Sequence, residues 1–290
     1  MARLLRIAIL SCLALPAVGC QWVAPRASER SLLTVAKPST DSACLEVFFA
    51  KFPAGAAEIN GPMWDEIDEQ QFSPQVRRLL AQNGFRAGVV GSHVPLELAK
   101  LLKLTDAPRK PASEQVQSLD AEPTVTLRVL HSRSGQRNEV LSSQIYEQLP
   151  LLVREGDGLR GRTYYKAEGR FGLRSFPEAD GRVRLELQPE LHHGDPQQKW
   201  VGSDGIMRLD SGRPKQVFEE LGIKVALLPG QMLVMTNLVD RPGSLGHYFF
   251  TEPKSETLTQ RLLVVRAAGA AEDQLFQDSS TKVVDLGFGE

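Results

Sequence analysis

The spacing of apolar and polar positions changes several times along this chain, and each change marks a boundary. Behind Arg3 and Arg6, the stretch Leu4 to Pro16 is an apolar run of about a dozen residues. A membrane-spanning helix needs roughly 20, so this run has the length of a signal-peptide core. Residues 21–42 mix Ser, Ala, Pro and charge without periodicity and read as a flexible tether. Cys44 to Phe52 is rich in branched and aromatic residues and predicts a strand, ended by Pro53 and Gly55. Pro62 then opens a helix with Asp65, Glu66 and Asp68 in its early turns, where the helix dipole favours acids, and with Met63, Trp64 and Ile67 as its apolar face. Ser73-Pro74 is an N-cap followed by proline at the first helical position. Val76, Leu79 and Leu80 form the stripe of that helix, and Asn83-Gly84 stops it. Phe85 to Val90 predicts a short strand and Pro95 to Leu102 a short helix, giving the order β-α-α-β-α over residues 44–102.

Residues 103–123 hold three prolines and little apolar periodicity, which predicts a linker or long surface loop. Beyond it the period becomes two. Val125, Leu127 and Val129 alternate with polar neighbours, and Val183 to Gln188 alternates cleanly, as a strand with one wet face requires. Pro189 is expected to end that strand or place it at an edge. Val225–Leu228, Pro229-Gly230 and Met232–Met235 read as strand, turn, strand, and Tyr248–Phe250 and Arg261–Arg266 as two further strands. Gly156, Gly158, Gly161, Gly169 and Gly172 are expected at hairpin turns. The predicted fold class is therefore α+β: a small N-terminal β-α-α-β-α unit at 44–102, then a larger antiparallel β domain at 124–267. Residues 268–290 form a loosely docked extension.

Composition is globular, 42% hydrophobic and 24% charged, with a formal net charge of -1. No segment is strongly basic, so a nucleic-acid partner has no electrostatic footprint. Of the three cysteines, Cys12 lies in the leading apolar segment, Cys20 directly after it and Cys44 alone in the first strand. That arrangement supplies no disulfide framework, and Cys44 reads as a buried thiol.

The search for chemistry yields weak candidates. His192-His193-Gly194-Asp195 is the densest group of potential metal ligands, but adjacent side chains on a strand point to opposite faces. A metal site would need further ligands from elsewhere, and a polar turn is the expected reading. The acidic run Asp65 to Gln71 reads as a solvated helix face. Gly243-Ser244-Leu245-Gly246 falls one residue short of a nucleophile elbow. Gly156 to Gly161 lacks the helix that a phosphate loop opens, and Gly202–Gly205 and Asp210–Gly212 read as β-turns. The carboxylate pair Glu186 and Glu190 is too common a pattern to mark a hydrolase. The expectation is no catalytic residue, no metal and no cofactor, hence a protein that is not an enzyme.

Two resemblances add to this. Leu15-Pro16-Ala17-Val18-Gly19-Cys20 resembles the lipobox of bacterial lipoproteins. It implies removal of residues 1–19, lipidation of Cys20, tethering through residues 20–42 and, with Gln21 rather than Asp after the cysteine, an outer-membrane address facing the periplasm. The second covers residues 183–266. Val183–Leu191, the Leu228-Pro229-Gly230-Gln231 turn with the apolar strand behind it, Gly243–Phe250 and Thr259–Val265 resemble, in order and spacing, the core of bacterial secretin channels, although Thr236-Asn237 stands where that family carries a double glycine. This resemblance implies a β domain that packs within an envelope assembly. The function expected is a structural or assembly component with a membrane as one partner, through its lipid, and envelope proteins or a second copy as others. The alternatives are a secretin-like channel subunit and a periplasmic enzyme or ligand-binding lipoprotein, and the alternative address, if the leader is an ordinary signal peptide, is soluble periplasmic or secreted.

Overall fold

The computed structural model describes residues 41–104, 124–156, 158–203, 206–254 and 257–268. The expected signal peptide, Cys20, most of the expected tether, most of the segment 103–123 and nearly all of 268–290 lie outside them. The described chain is mostly antiparallel β-sheet with a few short helices.

The first sheet is built from β1 (Ser42–Pro53), β2 (Phe85–Val90), β3 (Val125–Arg133), β11 (Met232–Asn237) and β13 (Thr257–Ala268) in the order β2-β11-β13-β1-β3, with β12 (Thr251–Lys254) beside β13. Its central strands carry near-continuous apolar runs because both faces are covered. Leu45, Val47, Leu233, Met235, Leu263 and Val265 face the second sheet. Phe48, Ala50, Phe52, Val234, Leu262 and Val264 face a helical layer. That layer consists of α1 (Ala57–Asn60), α2 (Pro62–Asp65) and α4 (Leu96–Leu102), which contribute Ile59, Met63, Trp64, Leu98 and Leu102.

The second sheet runs β10 (Ile223–Leu227), β6 (Val183–His192), β5 (Gly158–Pro177), β4 (Arg137–Glu155), with β9 (Lys215–Val217) also on β6. Val183, Leu185, Leu187 and Leu191 turn inward to meet the first sheet, and the intervening residues form a polar outer face. The strands β7 (Gln197–Ser203) and β8 (Ile206–Gly212) make a separate hairpin.

Most predicted elements form. Ser73 caps α3 (Pro74–Gln82), its hydroxyl accepting from the Val76 N–H at 3.4 Å, and Gly84 leaves the helix with φ +78°. The predicted helix at Pro62 is only one turn long. A 3₁₀ turn at Glu69–Gln71 follows, started by Asp68, whose carboxylate accepts from the Gln70 N–H at 2.8 Å. Segments 44–102 and 124–267 do not pack as two units in series. β1 and β2 pair with β13 and β11, so strands from both sides of the 103–123 segment share one sheet and one core.

Three further expectations are corrected. Tyr248–Phe250 is not a strand but part of α5 (Leu245–Phe250), because the Ser244 hydroxyl accepts from the His247 N–H at 3.2 Å and starts a helix. Gly161, Gly169 and Gly172 are not at turns; the β4–β5 hairpin turns once, after Gly156, and they lie inside the 20-residue β5. A Cβ on Gly169 would meet the Phe249 ring at 2.8 Å, and one on Gly172 would meet Glu190 Oε1 at 2.8 Å. Both glycines thus make room for neighbours rather than bends. Pro189 neither ends β6 nor sits at an edge: β6 lies inside its sheet and continues to His192. Pro189 falls where the partner strand changes from β10 to β9, so its missing N–H interrupts no ladder on that side. The strand, turn, strand read at Val225–Met235 forms, with Pro229-Gly230 leading from β10 of the second sheet to β11 of the first.

Candidate interaction site

Because β6 continues past Pro189 to His192, its alternation puts Glu186, Glu190 and His192 on the outer face of the second sheet. Cross-strand neighbours bring them partners. Arg170 of β5 stands opposite Glu190, Glu168 opposite His192, and Lys215 of β9 opposite His192 on the other side. Arg137 and Glu139 of β4 complete the group. Arg137 bonds Glu190 and, at 2.8 Å, Glu139. Arg170 bridges Glu139 at 2.8 Å and Glu168 at 2.5 Å. His192 Nε2 lies 3.3 Å and Lys215 Nζ 3.4 Å from Glu190. Glu190, Glu168 and His192 are buried. Burial alone would raise the Glu190 carboxyl; hydrogen bonds from His192 and Arg137, with the charges of Arg137 and Lys215, bring it down to about 2. Burial opposes ionisation of Glu139 as well, and bonds from Arg170 and Arg137 again prevail and lower it.

Glu139, Glu190 and His192 offer three ligand atoms within 4.8 Å of one another. Two of the three are carboxylates already held by guanidinium groups, whose positive charge occupies the space a cation would need. The cluster is an internally satisfied ionic lattice. A cleft of about 620 Å³ lined largely by its charged groups flanks it, and one of about 490 Å³ adjoins it through Arg137, Glu190 and Lys215.

The other sequence candidates disperse. His193 packs its ring 5.0 Å from that of Tyr164, and burial lowers its pKa. Asp195 pairs with Lys166 at 2.5 Å. His192, His193 and Asp195 therefore serve three different neighbourhoods. Gly243-Ser244-Leu245-Gly246 is a packing device: Ser244 caps α5, and Gly246 lies so close to the preceding chain that a Cβ would meet the Gly84 carbonyl oxygen at 2.1 Å. Cys44 is a partly buried free thiol whose pKa is raised by burial. Cys20 lies outside the described residues.

A second surface, which the sequence did not single out, is the margin of the first sheet. The outer side of β3 pairs with no strand among the described residues. Two other margins are partly covered. Val89 of β2 exchanges backbone bonds of 2.9 Å with Asp68. Asn83 bonds both the N–H and the carbonyl of Arg154 on β4, at 2.9 and 3.0 Å, while Tyr248 donates to the Pro150 carbonyl and Arg261 to that of Ser142. On β3, by contrast, Leu127 and Val129 are 37% and 48% exposed. Beside them a groove of about 310 Å³ opens between the sheets, lined by Val47, Phe49, Leu127, Arg128, Val140 and Leu141. An uncovered edge with apolar side chains is a template for adding a strand.

No family model matches the chain, and neither a curated protein nor a solved structure matches it significantly.

Proposed function

We propose that this chain is an exported, lipid-anchored cell-envelope protein, held at the periplasmic face of the outer membrane through Cys20. In this reading its β domain is a structural or assembly component that accepts an extended segment at the edge of β3. The observation that carries the binding half is that edge: an uncovered strand with exposed Leu127 and Val129 beside an apolar groove. Backbone groups would give a partner strand its affinity and the groove its side-chain preference. The β-α-α-β-α segment 44–102 is the frame, since it supplies β1, on which β3 is laid, and the helices behind it.

The anchor half rests on the lipobox-like residues Leu15 to Cys20. Each acyl methylene buried in a membrane stabilises attachment by ~0.8 kcal/mol, so two or three chains hold firmly. Residues 21–42 would let the folded part stand clear of the surface. Replacing Cys20 by Ser should release the protein from membranes and abolish labelling by radioactive fatty acid; unchanged membrane retention refutes the anchor. The resemblance of 183–266 to secretin cores supports an envelope assembly as the setting. If the protein instead migrates as an SDS-resistant ring, the channel-subunit reading replaces this one.

A further inference from the structure

We infer that the segment accepted by β3 is an acidic one from a partner protein: an extended stretch whose carboxylate stands opposite Arg128, between two apolar residues opposite Leu127 and Val129. The inference rests on the reading of that edge as a strand acceptor and names the chemistry of its partner.

Three observations carry it. The first is the direction of the backbone. Where β1 meets β3, the Lys51 N–H donates to the Thr124 carbonyl at 2.7 Å. Backbone groups of an antiparallel strand turn to alternate sides. Thr126, Arg128 and Leu130 therefore turn theirs to β1, and Val125, Leu127, Val129 and His131 turn theirs outward. Arg133 continues that outward series, but its N–H is taken by Gln136 Oε1 at 3.2 Å. The edge open to a partner thus runs from Val125 to His131, and no strand among the described residues occupies it.

The second is charge. β3 carries Arg128, His131 and Arg133 and no acid. Arg128 is exposed and has no ion-pair partner among the described residues. Its directly opposed neighbour on β1 is Val47, flanked on that face by Leu45 and Phe49, and none of these offers a countercharge. The other directly opposed position belongs to the incoming strand. Opposite charges stabilise such a pair and like charges destabilise it. A second copy of β3 would bring bases alone, so this edge is poorly matched to itself. The third is shape. Leu127 and Val129 lie on the face opposite to Arg128 and are 37% and 48% exposed, so apolar residues on either side of the partner's acid would pack on them. The acid itself would sit at the groove that Arg128 lines together with Val47, Phe49, Val140 and Leu141. Apolar walls reduce screening by water and strengthen an ion pair formed there.

The test uses the full chain, purified in mild detergent, and three labelled peptides: TVTVDVTVT, TVTVNVTVT and TVTVKVTVT. Each places its valines on one face and its central residue on the other, and reads the same in both chain directions. Binding is followed by fluorescence anisotropy and located by amide exchange at residues 125–131. The Asp peptide should bind about threefold more tightly than the Asn peptide and about tenfold more tightly than the Lys peptide, the scale of one cross-strand charge pair and of its reversal. It should also slow exchange at residues 125–131. Arg128→Glu should invert the order, so that the Lys peptide binds best, and Arg128→Gln should make the Asp and Asn peptides equal. Peptides that protect residues 125–131 but keep one order of affinity in the parent, Arg128→Glu and Arg128→Gln chains would overturn the acidic partner and leave strand acceptance standing. No binding by any peptide, or binding that leaves exchange at residues 125–131 unchanged, would overturn both.

Discussion

The outer face of the second sheet and the edge of the first make opposite use of their residues. The face gathers Arg137, Glu139, Glu168, Arg170, Glu190, His192 and Lys215, the inventory in which catalysis or metal binding is usually sought. Each carboxylate in it is held by a cation. The edge of β3 offers little side-chain chemistry beyond Arg128, yet its outer side has no strand partner among the described residues. Capacity for interaction therefore follows unmet bonding rather than density of functional groups. A saturated ionic lattice fixes the order of β4, β5, β6 and β9, whereas a bare strand edge remains available for association.

The comparison can be broken or sharpened by substitution. The largest effect should come from the frame that supports both regions. Gly246→Ala sets a methyl group against the Gly84 carbonyl oxygen, backbone against backbone, and overpacking of this kind should cost about 3 kcal/mol, read as a lower urea midpoint. Next is the lattice. Glu190→Ala leaves Arg137, Lys215 and His192 without their shared carboxylate and should cost about 2 kcal/mol, the moderate end for breaking a buried pair because Arg137 is partly wet. If it cost nothing, the lattice would be decoration. The lattice also sets an acid limit. The Glu190 carboxyl is held at about 2 in the folded chain against an ordinary value of 4.5, so its contribution is complete above about pH 4.5 and is lost as pH falls toward 2. Stability measured by denaturant titration should fall across that window, and Glu190→Gln should flatten the fall. The smallest effect on stability belongs to the edge. Val129→Lys should change unfolding free energy by less than about 0.5 kcal/mol, yet abolish strand addition. A large loss of stability would mean that Val129 serves the core rather than an interface.

How much of this could be read from the sequence depends on whether the deciding contact was local. The central strands, the Ser73 cap and the Asn83-Gly84 stop follow from residues within a few positions of one another, and all form. Tyr248–Phe250 misled because three consecutive aromatics carry no period of their own. The available signal was Ser244, an N-cap residue three positions before His247. Gly169 and Gly172 resemble turn glycines until the partners that need their missing side chains, Phe249 of α5 and Glu190 of β6, arrive from other elements. The lattice was barely legible: alternation put Glu186 on a wet face, but Pro189 was expected to end the strand or place it at an edge, His192 read as part of a turn, and Arg137 and Arg170 reach Glu190 and its neighbours only through strand pairing. The edge was illegible for the same reason. Alternation at Val125, Leu127 and Val129 identified a strand, while its place at the margin follows from the order of the whole sheet.

The most direct test is photocrosslinking in cells with a photoreactive residue in place of Val129 or, in a second strain, of Arg174, which is exposed in the cleft beside the lattice. The account predicts defined adducts to an envelope protein at position 129 and no adduct at position 174. Adducts at 174 with none at 129 would contradict it and return the search for function to the charged face.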